Sequence, residues 1–365
     1  MNAIDKVAAA AYRIPTDQPE GDGTFAWQAT TMVVVTLTAE GATGIGWTYA
    51  PAAAAPFISE TLAETVIGAD AADIPAVWAA MTRQVRNAGR PGIAGYAVSA
   101  VDVALWDLKA RLLGLPLVRL FGAAREQVPL YGSGGFTTYD DDATIGQLTR
   151  WAHGQGIGRV KIKIGESSGT RPERDLHRVA LARRVIGEEA ELYVDANGGY
   201  TAKQAIRMAD AMNEHDVTWF EEPVSSDDLP GLRLVREHCR ADVTAGEYGC
   251  DLTYFTRMCQ AQAVDCLQID ATRCGGYTGW FAAAAVAAGH HLQVSAHCAP
   301  NLHVPAAAGT ANLRHIEWFH DHQRIEGELF DGAADPTGGL VRPRTDAPGH
   351  GLVLRAGAAE RHRVA

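Results

Sequence analysis

The sequence has few features of a membrane, secreted or nucleic-acid-binding protein. Its 43 Asp and Glu residues outnumber 32 Lys and Arg, and the net charge of −11 argues against a basic surface for nucleic acid or anionic lipid. The longest run of small apolar residues, 281–289, has about half the length of a membrane span. The amino-terminal residues lack the apolar core of a signal peptide. We therefore expect a cytoplasmic protein that binds neither membrane nor nucleic acid.

Cysteine is scarce, and the glycines do not form a dinucleotide-binding motif. There are six cysteines in 365 residues, with no Cys-x-x-Cys pair, which predicts reduced and mostly buried thiols rather than disulfides or a zinc cluster. The glycines at 41, 44 and 46 and at 154, 156 and 158 have the wrong spacing for a pyrophosphate loop. Nothing in the sequence indicates a nicotinamide or flavin site.

Composition and length indicate a globular protein with two domains, or a barrel with an appendage. In the first 125 residues, a β-branched run at 31–38 precedes a Gly-rich segment at 41–46, predicted to be a turn, and a short strand at 47–49. Helical periodicity follows over 99–114 and stops at Gly114 and Pro116. We predict an α+β domain over residues 1–125.

From residue 126 the pattern alternates between strands and helices. Eight strand candidates occupy residues 129–133, 160–164, 191–194, 217–220, 243–245, 266–269, 292–295 and 313–318. Helix-length segments such as 173–186, 201–214 and 279–289 lie between them. This alternation predicts a parallel (β/α) barrel over residues 126–330, with an open doubly wound sheet as the alternative. The last segment, 331–365, has a strand candidate at 351–354 that could return to the first domain.

Carboxylates end three consecutive strands of the predicted barrel. Asp195, Glu221 and Glu247 are each separated from the next by 26 residues, about the length of one βα unit. They should therefore meet at the carboxyl-terminal face, where they would raise one another's pKa values unless a cation lay among them. Oxygen ligands without Cys or His suit one Mg²⁺ per site. The alternative is that each is a solvated loop acid.

Two lysines occupy the second predicted barrel strand. Lys161 and Lys163 alternate with apolar residues, so both amines face the same side. We predict Lys163 to be a general base, with a pKa lowered by its neighbour and the metal. Lys161 would balance the charge of a substrate carboxylate. Gatekeeper lysines on an exposed sheet edge are the alternative.

His297 and Asp270 end neighbouring predicted strands. Asp270 could accept a hydrogen bond from the imidazole, which would fix its tautomer and raise its pKa. His297 lies about half a barrel away from Lys163, so the two bases should approach a substrate from opposite faces. Glu317, on the last strand, could donate a hydrogen bond to the substrate carboxylate if it is protonated.

These residue types together define one chemical hypothesis. A proton α to a carboxylate is weakly acidic, and its removal places additional negative charge on the carboxylate oxygens of an enediolate. A divalent cation stabilises that charge more than it stabilises the ground state. The predicted activity is therefore Mg²⁺-dependent abstraction of the α-proton of a small hydroxy-carboxylate.

At these residues the sequence resembles the enolase superfamily and, within it, the mandelate racemase subgroup. The resemblance rests on the helix signature at 104–122 and on the motifs Lys161-Ile162-Lys163, Asp195-Ala196-Asn197, Glu221-Glu222-Pro223, Gly246-Glu247, Asp270, His297 and Glu317. It implies the roles proposed above for the bases, the metal ligands and the carboxylate-facing acid.

The resemblance also implies an architecture, a modified (β/α)₇β barrel capped by an amino-terminal α+β domain that the carboxyl-terminal tail completes. Lid loops at 16–27 and 47–57 would select the substrate. Arg13, Trp27 and Tyr49 in or beside these loops, and Asn197 beside the metal, are the predicted substrate-binding residues. The first lid has more acids than bases, which favours a polyhydroxy monocarboxylate over a dicarboxylate. Family members assemble as homo-oligomers, from dimers to octamers.

The favoured reaction is dehydration of a sugar acid, an aldonate or aldarate, to a 2-keto-3-deoxy acid. The same residues could serve a racemase or epimerase of a 2-hydroxy acid, or a cycloisomerase. A Schiff-base aldolase using Lys163 belongs to another mechanistic class, and a non-catalytic sugar-acid-binding protein is a further alternative. The segment His320-Asp321-His322 has the His-x-His spacing of metal-dependent hydrolases, but it follows the last strand and is predicted to lie on the surface.

Overall fold

A computed structural model describes residues 2–365. The amino-terminal domain contains a three-stranded antiparallel sheet of β1 (Lys6–Gly21), β2 (Ala26–Ala39) and β3 (Ala42–Tyr49). Five helices accompany it: α1 (Ala54–Phe57), α2 (Ala63–Val66), α3 (Ile74–Gln84), α4 (Ile93–Leu112) and α5 (Leu117–Phe121). Helix α4 packs across β2 and β3, and its buried alanine, valine and leucine side chains share one core with the centre of β2.

Residues 42–46, most of the Gly-rich segment, belong to strand β3 rather than to the predicted turn. The turn is confined to Glu40 and Gly41, whose φ angles of 49° and 78° suit a two-residue hairpin. A Cβ at Gly46 would lie 2.2 Å from the carbonyl oxygen of Ala100, and one at Gly44 would lie 2.4 Å from that of Ala104. These glycines therefore let β3 approach α4 closely, which a turn interpretation could not anticipate.

The second domain is a closed barrel of eight parallel strands, and the pairing of the last strand with the first closes it. The strands are β4 (Val128–Gly134), β5 (Arg159–Lys163), β6 (Glu191–Asp195), β7 (Val217–Glu221), β8 (Asp242–Ala245), β9 (Cys266–Ile269), β10 (Gln293–Ala296) and β11 (Leu313–Phe319). Each lies within one residue of its predicted bounds. The predicted barrel is confirmed, and closure rules out the open sheet.

Helices connect the barrel strands on the outside. They are α6 (Asp141–Thr149), α7 (Glu166–Gly169), α8 (Pro172–Ile186), α9 (Ala202–Met212), α10 (Leu229–His238), α11 (Leu252–Gln260), α12 (Gly276–Gly289) and α13 (Pro300–Gly309), followed by α14 (His320–Leu329) and α15 (Ala356–Glu360). The predicted segments correspond to α8, α9 and α12 within three residues. The helical periodicity over 99–114 belongs to α4, which extends further toward the amino terminus and begins at Ile93; within it, Ser99 Oγ donates to the carbonyl of Gly95.

Aromatic side chains fill the interior of the barrel below the catalytic face. Tyr131, Tyr193 and Trp219 pack with Cys266 in one buried cluster. The ammonium of Lys161 lies 5.3 Å above the ring of Tyr131. This aromatic floor directs the charged groups of the strands toward the carboxyl-terminal face, where active sites of such barrels are built.

The tail returns to the first domain, and the predicted strand segment 351–354 takes part, since Arg111 of α4 donates to the carbonyl of Leu352 at 3.0 Å. The strand β14 (Val353–Leu354) pairs with β12 (Phe330–Asp331), while β13 (Leu340–Val341) pairs with β4. The contacts with the first domain come from the residues on either side of β14. The backbone N–H of His350 donates to Asp107 of α4 at 2.8 Å, and Arg363 forms a bridge with Tyr12 of β1.

The cysteine prediction agrees with the structure, since all six cysteines are free and four of them are buried. Among residues 2–365, no helix combines the length and the apolar character that crossing a membrane requires.

Candidate active site

Three carboxylates converge at the carboxyl ends of β6, β7 and β8. One oxygen from each of Asp195, Glu221 and Glu247 lies within 4.8 Å of the others, and all three side chains are buried. Glu247 Oε2 accepts no hydrogen bond in the described chain, although His297 Nε2 lies 3.3 Å from it. A buried carboxylate oxygen without a hydrogen bond, beside two further carboxylates, favours positive charge nearby. The donor set, oxygen without thiolate or imidazole, fits a hard divalent cation such as Mg²⁺.

Lys161 is fully buried at the centre of this group. Its Nζ lies 2.5 Å from Glu221, 2.8 Å from Glu317 and 3.5 Å from Asp195. Burial alone would lower the pKa of this lysine, but the surrounding carboxylates outweigh it and raise the pKa well above its ordinary value. Lys161 is therefore a fixed positive charge in the floor of the site.

Lys163 does not show the lowered pKa that the sequence predicted. Its Nζ donates to Asp195 Oδ2 at 2.5 Å. Burial and the charge of Lys161 both lower the pKa, but the Asp195 carboxylate more than compensates, so the pKa is raised. The prediction considered the neighbouring lysine and the metal and omitted this carboxylate.

His297 and Asp270 form the expected pair. The imidazole Nδ1 lies 2.8 Å from Asp270 Oδ2, which assigns the proton to Nδ1 and directs Nε2 toward the site. Nε2 lies 3.3 Å from Glu247 Oε2. Burial lowers the pKa of His297, but Glu247 and the hydrogen bond to Asp270 reverse this, so the pKa is raised. Lys163 and His297 thus flank opposite ends of the row of carboxylates, at Asp195 and at Glu247.

The surroundings of Glu317 favour its ionised form over the protonated donor considered in the sequence analysis. It accepts hydrogen bonds from Ser133 Oγ at 2.6 Å and from the backbone N–H of Cys298 at 2.7 Å. Burial would raise its pKa, but Lys161 and His297 hold the pKa well below its ordinary range. Ser133, the N–H of Cys298 and Lys161 thus direct three donors at this carboxylate.

The predicted substrate-binding residues lie in different surroundings. Asn197 is half-buried beside Asp195, and its Oδ1 has no partner in the described chain. Tyr49 stacks on the ring of His322 with a centroid separation of 3.3 Å. Trp27 packs edge-on against Phe136, and these two contact the cluster that includes Cys298. Arg13 is exposed on β1 beside the tail and, in residues 2–365, forms no ion pair with the carboxylate group.

The predicted lid loops are largely regular structure. Residues 16–21 belong to β1 and residues 26–27 to β2, so the first lid is a hairpin whose turn covers only 22–25. Asp22 caps this turn by accepting from the N–H groups of Thr24 and Phe25. In the second lid, residues 47–49 end β3 and residues 54–57 form α1. The strand at 47–49 was predicted, whereas the first-lid prediction missed the ends of β1 and β2 because this segment is rich in polar residues.

The surface prediction for residues 320–322 was wrong, since all three side chains are buried. His322 Nδ1 accepts from the backbone N–H of Ala299 at 3.2 Å, so the proton lies on Nε2, for which the described residues provide no acceptor. Burial and His297 hold the pKa of His322 well below its ordinary value, so the ring is a neutral donor. The His-x-His spacing had drawn attention to this segment. The sequence analysis nevertheless placed it on the surface, because it follows the last barrel strand.

The sequence analysis also missed Arg273. This side chain donates to Glu247 Oε1 at 3.1 Å and lies 3.4 Å from Asp270 Oδ2. It therefore links a carboxylate of the predicted metal site to the partner of His297. Its position three residues after Asp270, in an otherwise small and apolar segment, was a usable signal.

The fold and the site together define a (β/α)-barrel enzyme in which a carboxylate triad lies between a lysine and a histidine. Two family models match the chain. The model described as "Enolase C-terminal domain-like" matches residues 144–358, and the model described as "Mandelate racemase / muconate lactonizing enzyme, N-terminal domain" matches residues 13–122. The chain belongs to the mandelate racemase subgroup of the enolase superfamily.

Two relatives of known activity resemble the chain over most of its length. The 3,6-anhydro-alpha-L-galactonate cycloisomerase of Streptomyces coelicolor is 33% identical to this chain. The alignment covers 96% of this chain and 97% of the cycloisomerase. The L-talarate/galactarate dehydratase of Salmonella typhimurium is 30% identical over 80% of this chain and 74% of its own.

Two solved structures share the fold. A mandelate racemase/muconate lactonizing enzyme-like protein from Rubrobacter xylanophilus is 46% identical to this chain. Its structure superposes with a TM-score of 0.96, and the alignment covers 99% of this chain and 100% of that protein. A racemase from Streptomyces coelicolor with bound magnesium is 31% identical, with a TM-score of 0.91 over 99% and 100% of the two chains.

Proposed function

We propose that this enzyme removes the proton α to the carboxylate of a sugar acid and then eliminates the oxygen substituent at the β-carbon. With water as the leaving group, this reaction dehydrates an aldonate or aldarate to a 2-keto-3-deoxy acid. The observation that carries the proposal is the arrangement of two bases, Lys163 and His297, at opposite ends of a buried row of three carboxylates.

Asp195, Glu221 and Glu247 would hold the Mg²⁺ ion, and Oε2 of Glu247, which accepts no hydrogen bond in the described chain, supports that assignment. When bound there, the ion supplies positive charge beside the oxygens of a substrate carboxylate. Lys161, a buried ammonium surrounded by acids, adds a second fixed positive charge on the same side of the site. The charge that develops on the carboxylate therefore meets groups that are already oriented.

The α-proton passes to Lys163 Nζ or to His297 Nε2, according to the configuration of the substrate. His297 is suited to this because Asp270 fixes its tautomer and leaves Nε2 directed into the site. Lys163 reaches its neutral form only when the charge on Asp195 is engaged elsewhere, since that carboxylate raises its pKa. The base that did not take the α-proton is placed to give a proton to the departing β-oxygen.

Cycloisomerisation is the second candidate, favoured by the likeness to an anhydrogalactonate cycloisomerase over nearly the whole chain. In a 3,6-anhydro acid the β-oxygen belongs to a ring. Loss of the α-proton followed by cleavage of the C3–O bond then opens the ring, and the leaving group stays attached. The chemistry at C2 and C3 is the same as in dehydration, so the two candidates differ in the substrate and not in the catalytic residues.

A panel of acids tests the proposal. In D₂O with Mg²⁺, we expect at least one aldonate, aldarate or 3,6-anhydro acid to give a 2-keto-3-deoxy product, detected by NMR, with solvent deuterium at C3. Racemase activity would instead give deuterium at C2 without a keto product. A panel that yields neither product nor exchange would contradict the proposal. Trapping of a Lys163 adduct by borohydride in the presence of EDTA would favour the Schiff-base aldolase.

His322 offers a specific test of substrate contact. Its neutral ring presents Nε2–H as a donor without a protein acceptor, close to His297 and stacked on Tyr49. Replacing His322 by Phe keeps an aromatic ring and removes the donor, and we expect kcat/KM to fall about 10- to 100-fold, the effect of one lost hydrogen bond. His322→Gln, which retains an N–H donor, should recover part of the loss. An unchanged kcat/KM in His322→Phe would show that His322 does not contact the substrate.

A further inference from the structure

A second group of acidic and imidazole side chains lies at the base of the lid hairpin, apart from the carboxylate triad. We call it the lid-base cluster, and it consists of Asp17 and Glu20 of β1 with His320, Asp321 and Arg324 of α14. One donor atom from each of Asp17, Glu20 and His320 lies within 4.8 Å of the others. Two of these residues come from the first domain and three from the barrel.

The cluster contains buried polar atoms that the protein does not satisfy. Glu20 and Asp321 are fully buried and His320 is 4% exposed. Glu20 Oε1, His320 Nδ1, Asp321 Oδ2 and Arg324 Nε have no hydrogen-bond partner in the described chain. Each such atom costs about 1–3 kcal/mol if nothing else satisfies it. Two of the four are carboxylate oxygens, and one of these, Glu20 Oε1, belongs to a residue of the converging group of three, which indicates that a ligand belongs there.

The excess of acids over bases in the cluster favours a cation as the ligand. Asp17, Glu20 and Asp321 are three acids, and Arg324 supplies one positive charge through its pair with Asp321. Ionised, the group has two negative charges in excess, which one divalent cation would neutralise.

We propose that the lid-base cluster binds a divalent first-row transition-metal ion through Asp17, Glu20 and His320. The imidazole makes the donor set softer than that of the carboxylate triad and favours such an ion over Mg²⁺. The ion would replace the hydrogen bond that now joins His320 Nε2 to Asp17 Oδ2 at 3.0 Å.

A cation at this place would fasten the lid hairpin to the barrel. Its ligands come from β1 on one side and from the first residue of α14 on the other. Glu20 also accepts from Trp27 Nε1 at 3.0 Å, and Trp27 packs on Phe136 beside the catalytic end of the barrel. Binding at the cluster would therefore fix the orientation of Trp27, a lid residue that packs beside the carboxyl end of β4.

Metal stoichiometry tests this proposal without any need for turnover. The full-length protein is freed of metal, equilibrated with Mn²⁺ alone, and its bound metal is counted by elemental analysis and electron paramagnetic resonance. We expect two ions per protomer in the wild type and one in Glu20→Gln. Glu221→Gln, which disables the triad, should keep the lid-base ion, and deuterium exchange of residues 16–27 should slow when that ion binds.

Two further variants keep the test decisive if Glu20→Gln folds poorly. Asp17→Asn alters a half-exposed ligand of the cluster and should also retain one ion, whereas Asp22→Asn, an acid bonded within its own turn, should retain two. A wild-type protein that binds a single ion would overturn the proposal and assign the partnerless atoms to water. A second ion that survives both Asp17→Asn and Glu20→Gln would overturn it equally.

Discussion

Replacing Lys163 by Ala is expected to abolish the exchange of an α-proton that lies on one face of the substrate, and His297→Asn to abolish exchange on the other. A positioned general base accelerates proton transfer by about 10²- to 10⁴-fold, so the exchange rate on the affected face should fall by that factor. The measurement is the uptake of deuterium at C2 by each of two epimeric acids in D₂O, followed by NMR. Elimination on the affected face should fall in parallel.

The positions of the two bases explain why each should serve a different face of the substrate. Lys163 lies against Asp195 at the end of β6, whereas His297 Nε2 faces Glu247 beyond the end of β8. Glu221 lies between these two carboxylates in strand order. A substrate carboxylate held over the triad therefore has one base on each side of its α-carbon, and neither base can serve both faces.

The controls are surface residues of the same types. Lys203 and His290 are exposed, and Lys203→Ala and His290→Asn should leave both exchange rates unchanged. If either active-site variant loses exchange on both faces while its melting temperature is preserved, the two bases do not act independently. The same base would then have to reach both faces, and the assignment of opposed roles would be wrong.

The barrel and its charged face could be predicted because their signals are local and periodic. Asp195, Glu221 and Glu247 each follow an apolar strand at a nearly constant interval, and a parallel barrel brings equivalent strand ends together whatever the details of the loops. Clustering of the carboxylates therefore required only the topology, and the topology required only the alternation of strands and helices.

The features that the sequence did not predict depend on contacts between distant segments. Gly44 and Gly46 suggested a turn, and only the approach of α4 explains them as parts of a strand. The pKa of Lys163 depends on its distance from Asp195, and the ionisation of Glu317 depends on Lys161. Burial of His320 and His322 comes from the lid hairpin and β3, which lie about 300 and 270 residues earlier in the chain.

The second large effect is expected on the metal site, where Glu221→Gln removes one negative charge from the triad without changing its shape. The single amide oxygen can accept from only one of the two donors that Glu221 now serves, Trp219 Nε1 at 3.0 Å or Lys161 Nζ at 2.5 Å, although Lys161 keeps its contact with Glu317. The melting temperature without Mg²⁺ shows whether the variant keeps its fold. Loss of a residue that only orients a metal ligand typically costs 10- to 100-fold in affinity, so loss of a ligand charge should cost more than about 100-fold in Mg²⁺ affinity.

Isothermal titration with Mg²⁺ measures this affinity directly, and the rise in melting temperature on adding Mg²⁺ provides a second readout because a ligand stabilises only the folded state that binds it. Both effects should be large in the wild type and nearly absent in Glu221→Gln. Glu214→Gln, a change at an exposed acid, is the matched control and should behave as the wild type. A Glu221→Gln protein with wild-type Mg²⁺ affinity and an unchanged Mg²⁺ requirement would remove Glu221 from the ligand set. Asp195 and Glu247 alone would then have to hold the ion, with Glu221 left as the buried counter-charge of Lys161.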